Sequence, residues 1–206
     1  MFYDSLTGLP NAMLFLDRLQ QAVAHAARRQ QVVALLYMDV DGFKRISDRH
    51  GASAGDSLMQ EIAERLGRCI QRKEDTLARL CGDQFAMVLG GIDGVEGAVT
   101  VLDKVNGAMK KHFLIGNCEQ PVSLSIGASI FPDHGKDWSA LLRNASIAMH
   151  QAKSAGGNGY CCYGKEGKKQ QGSGVVVQAT PLSPRLFKKF RSQGREGWAS
   201  GFMGWP

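Results

Sequence analysis

The chain has 206 residues, 44% hydrophobic and 21% charged, which is enough apolar content to bury one core and excludes disorder throughout. Its longest apolar run, Val32 to Met38, is seven residues, far short of the ~20 that a membrane helix needs. The net charge of +6 lies in residues 164–206, with eight basic and two acidic residues, whereas residues 1–163 balance at 17 of each, so the folded part is not a basic nucleic-acid binder.

Asp4 to Asn11 reads as a turn-rich opening. The spacing of Leu14, Leu16, Leu19, Val23 and Ala27 predicts a helix over 12–30. Residues 32–40 form a strand that is apolar on both faces and therefore central in a sheet. Asp41-Gly42-Phe43 turns the chain into a polar stretch over 47–54. A second helix is predicted over 55–72, with Leu58, Ile62, Leu66 and Ile70 at four-residue steps. Short strands over 76–80 and 85–89 flank Cys81-Gly82-Asp83-Gln84, a hairpin with a Gly-Asp tip. A helix over 94–111, an alternating strand over 122–130, a helix over 138–155 stopped by Gly156-Gly157 and a last strand over 158–163 complete the order. The result is one mixed α/β (α+β) domain over 1–163, with a single, largely antiparallel sheet flanked by helices. Residues 164–206, basic and glycine-containing without periodicity, are expected to be a disordered tail.

The cysteine count is five, odd and without a C-x-x-C pair, which argues against a zinc site or a disulfide framework. Met1-Phe2-Tyr3-Asp4 has no basic stretch ahead of an apolar one, so no secretory leader is expected. Reduced thiols in a cytoplasmic protein are the expectation.

Three patterns carry chemistry. Asp39 and Asp41 are two apart at a strand end, so their carboxylates share a side, an arrangement that suits Mg²⁺ with phosphate oxygens. Gly82-Asp83 puts a third carboxylate at a hairpin tip. Arg72 and Asp75, three apart on the predicted helix end, face one way, and an arginine there can fork onto phosphate or a guanine edge. Taken alone, each also reads as something plainer: solvated acids, an ordinary turn, a surface ion pair.

Together the segments resemble the GGDEF domain, the diguanylate cyclase family of bacterial signalling. The pieces stand in family order: D-S-L-T-G-L-P-N at 4–11, M-D-V-D-G-F-K at 38–44, G-D at 55–56, R-L-C-G-D-Q-F at 79–85, S-L-S-I-G at 123–127 and A-M-H-Q-A-K-S-A-G at 148–156. The last is especially like the GGDEF halves of tandem GGDEF–EAL proteins. The resemblance implies a nucleotide-cyclase-like fold in which two domains meet face to face as a homodimer, each with one GTP. Each 3′-hydroxyl attacks the other α-phosphate, expels pyrophosphate and yields cyclic di-GMP, with Mg²⁺, or Mn²⁺, neutralising charge. It implies Asp39, the Val40 carbonyl and Asp83 as metal ligands. It further implies Gly42, Phe43 and Lys44 at the phosphates, Asp56 at the guanine edge and Lys153 on a phosphate.

The departures are as informative. Gln84 stands where the signature has its second acid, and an amide neither accepts a proton at neutral pH nor binds Mg²⁺ well. Loss of a general base alone costs ~10²–10⁴ in rate. Cys81 replaces the first glycine, Ser47 the guanine-binding Asn, and Gly157 and Gly159 two arginines near the phosphates. His150 and Ser146 replace a Tyr and an Asp. Arg72-x-x-Asp75 keeps the spacing of the family's product-inhibition site, where cyclic di-GMP is gripped. Three readings follow: a cyclic di-GMP receptor, a working cyclase, and a GTP-binding or docking module. The chain opens at the first motif and carries a basic tail where an EAL half would continue, so a sensor or EAL-type partner is expected to be absent or to lie on another protein.

Overall fold

The structure is a computed structural model that describes residues 2–70 and 72–164; the tail expected from 164 onward lies, after Gly164, outside the described residues. The elements are α1 (Ala12–Arg29), β1 (Val33–Val40), α2 (Phe43–His50), α3 (Ala52–Gly67), β2 (Thr76–Cys81), β3 (Gln84–Gly90), α4 (Gly94–Met109), β4 (Phe113–Ile115), β5 (Cys118–Gln120), β6 (Leu124–Phe131), α5 (Trp138–Ser154) and β7 (Gly159–Cys162). The main sheet runs β2-β3-β1-β6-β7, antiparallel except for the β6–β7 pair. β4 and β5 form a separate hairpin.

β1 is buried along its whole length because helices cover both faces. Val33, Leu35 and Tyr37 pack against Phe15, Leu19 and Val23 of α1 and Leu141, Ala145 and Met149 of α5. Ala34, Leu36, Met38 and Val40 pack against Leu58, Ile62 and Leu66 of α3 and Leu102 and Val105 of α4. Each fully buried aliphatic side chain contributes about 1.5–3 kcal/mol, so this double-faced strand anchors the domain.

Local chemistry sets the ends. Asn11 caps α1, its side-chain oxygen accepting from the N–H groups of Met13 at 3.1 Å and Leu14 at 3.2 Å. Asp137 caps α5 by accepting from Ala140 N at 2.8 Å. The end of α4 is held by the buried Arg65, which donates to the carbonyls of Ala108 at 3.3 Å, His112 at 2.7 Å and Lys111, and stacks 3.5 Å over the Phe113 ring. α5 lies directly on β6 at Gly127, where a Cβ would stand 2.0 Å from the Ala145 carbonyl oxygen and 2.2 Å from Met149 N.

Three expectations need correction. The polar stretch after Asp41 is the helix α2, which sets only Phe43 and Ile46, both partly buried, against the core and is too short to show a sustained apolar period. α3 starts at Ala52 and stops at Gly67, so Arg72 and Asp75 are not on a helix end. The run Arg72-Lys73-Glu74-Asp75 has no apolar residue to hold another turn against the sheet. The hairpin β4–β5 also went unread, because three-residue strands are too short to show alternation. No described helix is long and apolar enough to cross a membrane.

Candidate functional site

The hairpin β2–β3 places its tip by register. Asp39 on β1 is opposite Gln84 on β3, and Val40 N donates to the Asp83 carbonyl at 3.1 Å. Asp39, Val40, Asp83 and Gln84 are thereby brought together at the end of the central strand. Arg79 braces the tip. Its Nε and Nη2 donate to the Gly82 carbonyl at 3.0 and 2.7 Å, and its Nη1 reaches Asp4 at 3.1 and 3.3 Å. Asp4 also accepts from Thr7 N at 2.8 Å and Thr7 Oγ1 at 2.7 Å, which closes the opening turn. Asp4, Thr7 and Arg79 went unassigned in the sequence. The Asp-x-x-Thr turn was visible there, but nothing linked it to a residue 75 positions on.

The carboxylates have divided roles. Asp39 is buried and pairs with Lys153 Nζ of α5 at 2.7 Å. Burial, and then the charge of Asp39, push the Asp83 carboxyl above its ordinary range. Lys153 is nearly half exposed; burial works to lower its pKa, but the Asp39 hydrogen bond and the charges of Asp39, Asp83 and Asp41 outweigh this and raise it. Asp41 shares their side of the strand but is consumed elsewhere. It accepts from Ser123 Oγ and Ser125 Oγ, each at 2.6 Å, and from Asn158 N at 2.9 Å. Gly157 fits over it with φ +69°, and a Cβ there would stand 3.0 Å from Asp41 Oδ2.

Gln84 faces inward. Its Oε1 accepts from the buried Tyr37 hydroxyl at 2.9 Å and from Cys81 Sγ at 3.3 Å. Gly42 caps α2, with Lys44 exposed in the first turn. Ser47, one turn on, faces α3 at Gly55, where a Cβ would lie 3.2 Å from its Oγ. Asp56, exposed on α3, follows immediately. The expected guanine pair therefore sits where α2 meets α3.

Among the described residues no three His, Cys, Asp or Glu side chains gather into a metal-binding group. Asp39 and Asp83 do lie close enough for the Asp39 charge to act on Asp83, and two carboxylates are a share that a protein gives to a Mg²⁺ whose other ligands are phosphate oxygens and water.

Arg72 and Asp75 form a second place, at the far end of β3. Arg72 Nη1 donates to the carbonyls of Gly90 at 3.1 Å and Gly91 at 2.7 Å, and Asp75 accepts from Gly90 N at 3.2 Å. Burial pushes the Asp75 carboxyl up. Both line a cleft of about 240 Å³ with Cys69, Asp93, Thr100 and Lys104. A larger groove, about 660 Å³, lies between α3 and α4, away from Asp39; its size does not mark the chemistry.

Fold and site define a class: an antiparallel α/β domain with a carboxylate pair where a glycine-containing hairpin tip meets its central strand. The comparisons place it further. The profile described as diguanylate cyclase, GGDEF domain, matches residues 1–159. The bifunctional diguanylate cyclase/cyclic di-GMP phosphodiesterase MucR of Pseudomonas aeruginosa is 40% identical over 161 residues, covering 78% of this chain and 23% of that protein. The cyclic di-GMP phosphodiesterase PdeR of Escherichia coli is 32% identical over 163 residues, covering 79% of this chain and 24% of PdeR. This chain therefore spans about a quarter of the length of these relatives. The crystal structure of the GGDEF domain of TpbB (YfiN) from P. aeruginosa superposes with a TM-score of 0.74 at 32% identity, over 78% of this chain and 99% of that one. The GGDEF domain of DgcB from Caulobacter crescentus, solved in complex with c-di-GMP, gives 0.69 at 25% identity, over 76% and 90%. The chain belongs to the GGDEF family, the diguanylate cyclase domain of cyclic di-GMP signalling.

Proposed function

We propose that this domain is a cyclic di-GMP receptor whose cyclase chemistry is impaired. The observation that carries the reading is Arg72. Two carbonyls of the β3 end fix its Nη1, its Nη2 and Nε have no partner among the described residues, and Asp75 stands beside it at one cleft. A guanidinium so fixed can fork onto a phosphate or a guanine edge at little entropic cost, with Asp75 accepting from the base. The DgcB domain solved with c-di-GMP supports the ligand class.

Impairment follows from the other end of β3. Asp39, the Val40 carbonyl and Asp83 are the groups that would hold Mg²⁺, which supplies charge neutralisation on GTP phosphates in the cyclase reaction. Gln84 adds neither an acid nor a free oxygen, since its carbonyl is occupied by Tyr37 and Cys81. Lys44 and Lys153 would meet phosphates, and Ser47 and Asp56 the guanine. Gly42 and Phe43 open α2, where backbone N–H groups lack helical partners. Two copies would have to face each other for the reaction. A cytoplasmic setting with an EAL-type or sensor partner completes the proposal; none of the five cysteines forms a disulfide.

The test is calorimetry with cyclic di-GMP. Saturable binding that Arg72→Ala weakens at least about tenfold, the loss of one charge-assisted hydrogen bond, supports the receptor. Unchanged affinity in Arg72→Ala refutes it. The juxtaposed Asp39 and Asp83 favour a second reading, an active cyclase. It is read by chromatography of products from GTP with Mg²⁺ or Mn²⁺, against an Asp39→Ala control.

A further inference from the structure

We infer that the groove between α3 and α4 is a docking surface for an acidic amphipathic helix of a partner protein. The groove, about 660 Å³, takes no part in the site at Asp39. Its α3 wall carries Glu61, Glu64, Arg65 and Arg68. These charges close on themselves, Arg65 onto Glu61 at 2.5 Å and Arg68 onto Glu64 at 2.6 Å. The facing wall carries Lys104 on α4 and Lys111 just past its end, and neither has an ion pair among the described residues. The groove is therefore left net positive, with its spare cations on the α4 side.

Between those lysines the floor is bare, because Gly107 and Ala108 line it. Gly107 lies within α4 without a left-handed φ, and a Cβ there would meet nothing within 4 Å. Gly97 of the same helix is different, since a Cβ there would stand 3.1 Å from the Ile92 Cβ. Nothing in the chain presses on Gly107, although a glycine in a helix is less stable than an alanine. A surface so bare lets another helix lie close, its apolar side chains over Gly107 and Ala108 and its carboxylates on the lysines at either end. The sign of the charge argues against nearer occupants. Residues 164–206 hold eight basic residues against two acidic. A second copy related by twofold symmetry would set this groove against itself, lysine facing lysine.

Cys69 and Lys104 line the Arg72–Asp75 cleft as well, whereas Gly107 and Lys111 line the groove alone, so these two carry the test. The experiment is fluorescence anisotropy of the full chain with a labelled synthetic helical peptide that carries a leucine pair between two glutamates about two turns apart. Binding should saturate with a Kd below about 100 µM, and the same peptide with lysine for glutamate should bind at least about tenfold more weakly. Lys111→Glu should weaken the acidic peptide at least about tenfold and strengthen the lysine peptide. Gly107→Leu fills the floor and should weaken the acidic peptide by a similar factor, with no fall in Tm. No saturable binding of the acidic peptide, equal affinity for the lysine peptide, or an affinity that neither variant moves overturns the inference. So does a wild-type chain that self-associates in sedimentation and that Gly107→Leu returns to monomer, which assigns the groove to a second copy. Cyclic di-GMP titrated into the same variants reads Arg72 and Asp75 separately, so the two failures are told apart.

Discussion

Asp39 and Asp41 stand two apart, share a side of the sheet, and do different work. Asp39 meets a lysine at the cleft, and Asp41 gathers two serine hydroxyls and a backbone N–H. The pair was legible in the sequence as a strand-end D-x-D. Its division was not, because the partners of Asp41 lie 82, 84 and 117 residues further on. Gln84 was legible as a departure from the signature, yet its tie to Tyr37 depends on cross-strand register, which no local pattern shows. Asp83 gives a prediction at this scale. Its folded pKa is raised above the ordinary 3.8 by burial and by Asp39, so the folded state holds that proton more tightly than the unfolded chain. The charge therefore costs stability as pH climbs through the raised value. Asp83→Asn should be more stable than the wild type at neutral pH, and the difference should vanish below 3.8. Urea midpoints at the two pH values measure it.

Elements with a long apolar period were read well. The helices α1, α4 and α5, the strand β1 and the Gly-Asp hairpin fall where spacing put them, within a residue or two. What failed were the elements lacking that signal. α2 sets only the partly buried Phe43 and Ile46 on the core, and the β4–β5 strands are three residues each. The polar run after Gly67 continued a four-residue rhythm only through Ile70, which carried the expected helix too far. The S-L-S-I-G segment now has a physical account. Ser123 and Ser125 serve Asp41, the alternating Leu124 and Ile126 serve the core, and Gly127 admits the α5 backbone. Gly127→Ala would put a methyl 2.0 Å from a carbonyl oxygen that belongs to the helix itself, which no side-chain rotation relieves. We expect a loss of about 3 kcal/mol or more, read as a fall in urea midpoint, with α5 and its Lys153 displaced.

At the scale of the molecule, β3 carries a ligand-binding candidate at each end. Gln84 and Asp83 stand at its start, and Arg72 and Asp75 clasp Gly90 at its finish. The strand advances about 3.3 Å per residue, so the ends are roughly 20 Å apart. A buried strand in mid-sheet neither stretches nor folds, and a ligand at one end cannot touch a ligand at the other. Cyclic di-GMP and GTP should therefore saturate one chain together, and a competition assay should show no displacement at saturation. Any influence between them is then a coupling free energy, and such energies have no direction. If cyclic di-GMP lowers the affinity for GTP by some factor, GTP must lower the affinity for cyclic di-GMP by that same factor. Two calorimetric titrations, run in opposite order, would have to return one number.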